Sequence, residues 1–128
     1  MTFQVKDTVF GRRIFLFVGT REAFVKHLTE AWAGQCKKKI PKDARGMMLW
    51  FFVKSKFAGV KTRVYYLWSV EFNGTPDDIG TLAHEAFHIA TTVLEDLGVD
   101  TSDVEGSESV AYYMESIFVQ CLTHLKGE

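Results

Sequence analysis

Two strand-length runs, MMLWFFVK (47–54) and VKTRVYYLWSVEF (60–72), restrict this chain more than any other feature. Aromatic and β-branched side chains pack well on a pleated, half-buried surface, and both runs are bounded by turn-forming residues. The intervening SKFAG ends in Gly59, which can supply the left-handed backbone of a tight reversal. The pair is predicted to form a β-hairpin. In the second run Val64, Tyr66, Trp68, Val70 and Phe72 face one way. Arg63, Tyr65, Leu67, Ser69 and Glu71 face the other, more polar side. One buried and one partly solvated sheet face are therefore expected.

The N-terminal segment adds strands. Phe3 and Val5 alternate with Gln4 and Lys6, and Ile14 to Val18 form a second apolar run beyond Gly11. A hairpin about Gly11 is expected. Thr20 is a suitable cap for a helix over 21–33 with Phe24, Val25, Leu28, Ala31 and Trp32 on one stripe, stopped at Gly34. Residues 35–46, QCKKKIPKDARG, form a basic loop in which Lys37, Lys38, Lys39, Lys42 and Arg45 are candidates for phosphate contacts, the simpler reading being a solvated charge run.

The C-terminal half reads as two helices. In NGTPDD, Thr75 is the expected N-cap, Pro76 the first helical residue, and Asp77 and Asp78 first-turn carboxylates facing the positive end of the helix dipole. This helix is predicted over 76–97, ending at Gly98. A last helix is predicted over 107–125 with Ser107 as cap, and Ser102 with Glu105 offers an earlier capping box. With 128 residues, one α+β domain spanning 1–128 is expected, built on a small mixed or antiparallel sheet, an N-terminal helix and two C-terminal helices.

Composition narrows the function classes. The net charge of −1 gives no overall attraction to nucleic acid, so a nucleic-acid partner is disfavoured. No apolar run approaches the roughly 20 residues that span a bilayer, and no signal peptide is apparent, which implies a cytoplasmic protein without a membrane partner. Cys36 and Cys121 stand alone, as two reduced thiols.

The second-last helix contains His84-Glu85-Ala86-Phe87-His88. Residues four apart lie one turn above each other, so both imidazoles can reach one point, as two ligands of a tetrahedral zinc ion must. Glu85 lies about 100° around the helix, placed to act as general base on a zinc-bound water rather than as a ligand. The expected apolar stripe comprises Ile79, Leu82, Ala83, Ala86, Phe87, Ala90, Val93, Leu94 and Leu97, with His84 and His88 on the opposite side beside Thr81, Thr92 and Glu95. The bland alternative is a pair of idle surface histidines.

A catalytic zinc needs a third protein ligand. The position six after His88 is Leu94, which excludes a third histidine there. His27, His124 and the later carboxylates remain candidates. Glu108 is favoured: it lies in the first turn of the last helix, away from the expected apolar stripe of Val110, Met114, Ile117, Cys121 and Leu125. Glu115 shares its stripe, and Glu105 stays open.

HEAFH followed some twenty residues later by ESVA resembles the gluzincin branch of zinc metallopeptidases. More narrowly, TLAHEAFHIATTVLEDLGV with ESVAYYMESI resembles small proteins encoded by tailed bacteriophages and prophages, usually labelled as metallopeptidases of uncharacterised function. The resemblance covers about residues 75–120. It implies a zincin-like domain holding Zn2+ by His84, His88 and Glu108, with Glu85 as base, acting inside a bacterial host cell on a peptide, protein or amide. Tyr112, one turn after Glu108, is the expected oxyanion donor, ahead of Tyr113. An extended substrate is expected to pair with a sheet edge at 47–54 or 60–72, lined by Trp50, Tyr65 and Trp68. These 128 residues are not expected to supply the extra subdomain of the usual gluzincins. The alternative is therefore a catalytically inactive zincin-like module that engages a host or phage protein.

Overall fold

A computed structural model describes residues 1–54 and 59–127. The elements, in chain order, are β1 (Thr2–Val5), β2 (Arg13–Val18), α1 (Arg21–Ala31), β3 (Gly46–Lys54), β4 (Lys61–Ser69), α2 (Pro76–Asp96) and α3 (Val104–Leu125). They give a small α+β fold with a four-stranded mixed sheet and three helices. The chain divides into two compact units, Met1–Glu71 and Phe72–Glu128.

In the first unit the sheet order is β1-β2-β4-β3. The expected pairings of β1 with β2 and of β3 with β4 are both antiparallel, with Val5 opposite Ile14 and Trp50 opposite Tyr65. Residues 55–58 of the expected SKFAG turn lie outside the described residues, and Gly59 takes a φ of 64°. Between β1 and β2 the Asp7 carboxylate accepts the N–H groups of Val9, Phe10 and Arg12, which shapes the reversal that Gly11 completes at φ 66°. β2 and β4 run parallel, Arg13 opposite Val64 and Val18 opposite Ser69.

This topology places β4 in the interior of the sheet and corrects the two-faced reading of its sequence. Tyr65 and Leu67 are as buried as Val64, Tyr66 and Trp68. A strand flanked on both sides has no solvated edge, and here neither face of its middle is exposed. It also removes 60–72 as a peptide-docking edge, and withdraws Tyr65 and Trp68 from any such groove. The edges are β1 and β3.

Helix α1 starts at Thr20, whose hydroxyl accepts the Ala23 N–H at 3.1 Å. It ends two residues earlier than expected, at Ala31. Phe24 and Leu28 are its buried residues, while Val25 stays exposed. The Phe24 ring stacks on Trp68 at 5.1 Å, and the Trp68 indole donates to the Gly19 carbonyl at 2.9 Å. Full burial of one such ring stabilises a fold by about 2–3 kcal/mol.

The second unit is a helical hairpin. Thr75 and Asp78 form a reciprocal capping box at the start of α2. The Asp78 carboxyl is held below its usual range, chiefly by the Asn73 backbone N–H at 2.7 Å, with Thr75 contributing. At the other end Val99 N–H bonds Leu94 O and Gly98 N–H bonds Glu95 O, with Gly98 at φ 81°. These are the two bonds of a Schellman stop.

Helix α3 begins three residues before the expected position. Asp103, not Ser107, is its cap, accepting the Gly106 N–H at 2.6 Å. Ser102 is occupied by the Asp100 carboxylate and closes no capping box with Glu105. The early start depends on Gly106, because a Cβ there would sit 1.8 Å from the Asp100 carbonyl oxygen.

Gly106→Ala is therefore expected to lower the urea-unfolding free energy by about 1–3 kcal/mol, as a rigid steric overlap does. Gly80→Ala, at a position in α2 with open space around it, is expected to raise it by about 0.5–1 kcal/mol. Equal effects at the two positions would contradict this account of the α3 start.

Candidate metal centre

Six residues of α2 are buried: Leu82, Ala86, Ile89, Ala90, Val93 and Leu94. Compared with the expected stripe, Ile89 joins the buried set, while Phe87 and Leu97 leave it, being 46% and 43% exposed. The stripe is therefore rotated slightly from the one suggested by counting apolar residues. The sides of the helix follow from this phase. His84 and His88 are exposed on the side away from the buried stripe, and Glu85 is half-buried at its flank.

The two imidazoles converge. Their Nε2 atoms are 3.0 Å apart, their centroids 4.5 Å apart, and the rings lie at 87° to each other. Two nitrogens bound to one tetrahedral zinc ion at about 2.05 Å stand roughly 3.3 Å apart. A small change in side-chain torsion separates the two geometries. As arranged, the contact accommodates one N–H···N hydrogen bond, with one ring protonated on Nε2 and its neighbour on Nδ1. Metal binding requires both Nε2 lone pairs to face the ion.

The third position is not assembled. Among the described residues no group of three or more His, Cys, Asp or Glu is arranged to hold a metal ion. Buried residues of α3 are Gly106, Val110, Tyr113, Ile117 and Cys121. Glu105, Glu108, Tyr112 and Glu115 all lie on its exposed side, with Tyr112 71% exposed. The structure thus brings His84, His88 and Glu85 together on one helix, as local spacing demands, and leaves Glu108 on the outer face of the next. Tyr113, the second choice for oxyanion donor, is buried at 6% exposure.

His27 is engaged elsewhere. Its Nε2 lies 2.7 Å from the Tyr66 hydroxyl, which also accepts the Trp32 indole N–H at 2.8 Å. The arrangement that uses every group has Tyr66 donate its proton to Nε2 of a neutral His27. Burial, and then the positive N-terminus, lower the His27 pKa, against an opposing pull from Glu30. Burial raises the Tyr66 hydroxyl. No local pattern points to this polar knot, because its three members are joined only by packing α1 on β4. His124 is half-buried in the last turn of α3. Both cysteines are free thiols, and burial pushes Cys121 up to about 12, which makes it a poor nucleophile.

No helix among the described residues is long and apolar enough to cross a membrane. No protein-family profile, curated protein or solved structure matches the chain.

The His27 knot gives a pH dependence with a defined sign. Because its native pKa is lowered, the unfolded chain takes up the proton first. Stability is expected to fall as pH drops below the ordinary imidazole value of 6.5, and to level off beneath the lowered native value. Urea midpoints between pH 8 and 5 should show this fall in the wild type and a smaller one in His27→Gln. An unchanged slope in that variant would assign the fall to other groups.

Proposed function

We propose that the chain is a zinc-dependent metallohydrolase, a peptidase or amidase acting within a bacterial host cell and encoded by a bacteriophage or prophage. The reading rests on a zincin-like order of elements, an HExxH helix followed by a Glu-bearing helix. Its single strongest support is the 3.0 Å approach of the His84 and His88 Nε2 atoms on a capped helix. Their donor chemistry suits zinc. Glu108 is assigned the third position on the gluzincin resemblance alone; its place on the outer face of α3 does not itself form that contact.

Zinc, when bound, would acidify water and polarise the scissile carbonyl. The work of the chain's own residues is narrower. His84 and His88 would present Nε2 lone pairs to the ion, each ring keeping its proton on Nδ1. Glu85, one residue after His84, would accept a proton on its carboxylate from a neighbouring water and return it to the leaving amine. Tyr112, on the same side of α3 as Glu108, would serve as the hydroxyl donor to the developing oxyanion.

The absence of a three-donor cluster among the described residues favours a second reading, an inactive zincin-like module that binds a host or phage protein. Glu85→Gln separates the two. A hydrolase is expected to keep its zinc and lose at least 100-fold in turnover, within the range supplied by general base catalysis. A binding module would be indifferent to that change.

Zinc content after purification and dialysis tests the ligand set. One equivalent per chain is expected in the wild type, with a loss of 10-fold or more in affinity for His84→Ala, His88→Ala and Glu108→Ala. Full retention in Glu108→Ala, with loss in Glu105→Ala or Glu115→Ala, would move the third ligand. Retention in all the variants would remove the proposal.

A further inference from the structure

The net charge of −1 conceals a partition. Residues 1–71 carry fourteen Lys and Arg against five Asp and Glu, a net of +9. Residues 72–128 carry one Lys against eleven Asp and Glu, a net of −10. The two segments coincide with the two compact units. A near-neutral total therefore says nothing about the field at the surface of the first unit, and an asymmetry of this size is a signature of polyanion binding.

The positive charge of that unit is organised around exposed aromatic surface. On edge strand β3, Trp50, Phe52 and Lys54 alternate onto one face, and the register sets Phe52 opposite Arg63 and Lys54 opposite Lys61 on β4. The Arg63 guanidinium lies 3.9 Å from the Trp50 ring centroid and 5.2 Å from that of Phe52. The Lys38 ammonium lies 4.5 Å from the Trp50 centroid. Phe52 is 46% exposed, and its ring meets Trp50 edge to face at 5.4 Å.

Two features go against folding economy. Like charges directly opposite in an antiparallel pair, as Lys54 and Lys61 are, destabilise the pair. A large aromatic ring left open on a sheet face gives up its burial energy. The basic loop is also held in place rather than left loose: Arg21 donates to the Ile40 carbonyl at 2.6 Å, and Gln35 accepts the Lys54 N–H at 2.7 Å. Lysines along an edge also deter strand pairing between molecules. That role does not call for an exposed ring stacked against a guanidinium.

We infer that the Trp50–Phe52–Arg63 face of the sheet binds single-stranded nucleic acid, with bases stacking on Phe52 and the Arg63 plane and phosphates met by Lys38, Lys54 and Lys61. A flat face of aromatic rings ringed by cations suits this occupant better than a duplex. Single strands expose base faces for stacking, and their flexible backbone can follow scattered charges. An acidic peptide offers the charge but no planar face to match Phe52.

The test is fluorescence anisotropy of the full chain with a labelled fifteen-nucleotide oligothymidine, across 50 to 300 mM salt. Heparin, poly-glutamate and a duplex of equal length serve as competitors. Binding at 50 mM salt is expected, with a log–log salt slope near −3, about −0.7 for each of the four cations Lys38, Lys54, Lys61 and Arg63. Phe52→Ala should weaken binding by roughly tenfold or more at unchanged salt slope, as loss of one stacked base does. Arg63→Gln should weaken it and flatten the slope. Lys26→Gln, which removes an exposed charge paired with Glu30 on α1, should do little.

Circular dichroism of each variant establishes that it is folded. If Phe52→Ala is not, Phe52→Leu, which keeps apolar bulk without a ring, replaces it. Absence of binding at 50 mM salt would overturn the inference. So would competition by heparin or poly-glutamate as effective as unlabelled oligothymidine combined with indifference to the Phe52 variant, or a preference for the duplex. None of these outcomes depends on zinc, so the inference stands or falls apart from the hydrolase proposal.

Discussion

The rotational phase of α2 is the constraint on which the functional reading depends. Leu82, Ala86, Ile89, Ala90, Val93 and Leu94 must leave water, and a helix turning 100° per residue then has no freedom in where it puts the rest. His84 and His88 are turned outward and stacked one turn apart. Glu85 is left at the boundary between buried and solvated arcs. The capping box at Thr75 and Asp78 and the Schellman stop at Gly98 fix where this helix begins and ends. The imidazole pair thus sits on a rigid element, away from the frayed turns.

The first unit solves a different problem. Its interior strand β4 is apolar across Val64 to Trp68, and the polar atoms that Tyr66 and Trp68 bring inside are satisfied locally. Trp68 donates to Gly19, while Tyr66 joins Trp32 and His27. Each bond prevents the cost of about 1–3 kcal/mol that a buried, unmatched donor or acceptor carries. The cations of this unit are left to its surface. The two units are accordingly unlike in charge as well as in architecture, one a basic sheet with a helix, the other an acidic helical hairpin.

What was legible in the sequence was local. The α2 cap could be read because Thr75, Pro76, Asp77 and Asp78 act on one another within a single turn. The strands could be read because alternation and turn residues are short-range signals. The parallel pairing of β2 with β4 could not, since it joins segments some fifty residues apart through α1 and β3. The burial of Tyr65 and Leu67 follows from that pairing and is equally absent from any local pattern. The α3 start lies earlier than the sequence suggests because Asp103 competes with Ser107 as a cap and wins only where Gly106 can lie against the Asp100 carbonyl. Phe87 belongs to the apolar stripe by count yet stays exposed, because α2 carries more apolar residues than its buried arc can hold. For the candidate site, the spacing of His84, Glu85 and His88 survives intact because it belongs to one helix. Glu108 depends on how α3 is turned against α2, which no local pattern encodes.

The most direct test of the central claim is long-range 1H–15N NMR of the histidine rings during titration with one equivalent of Zn2+. The account predicts that the Nε2 resonances of His84 and His88 move together to the metal-coordinated range, with both rings fixed as Nδ1–H tautomers, while those of His27 and His124 stay where they were. Zinc that leaves the His84 and His88 rings unchanged, or shifts all four histidines alike, would contradict it.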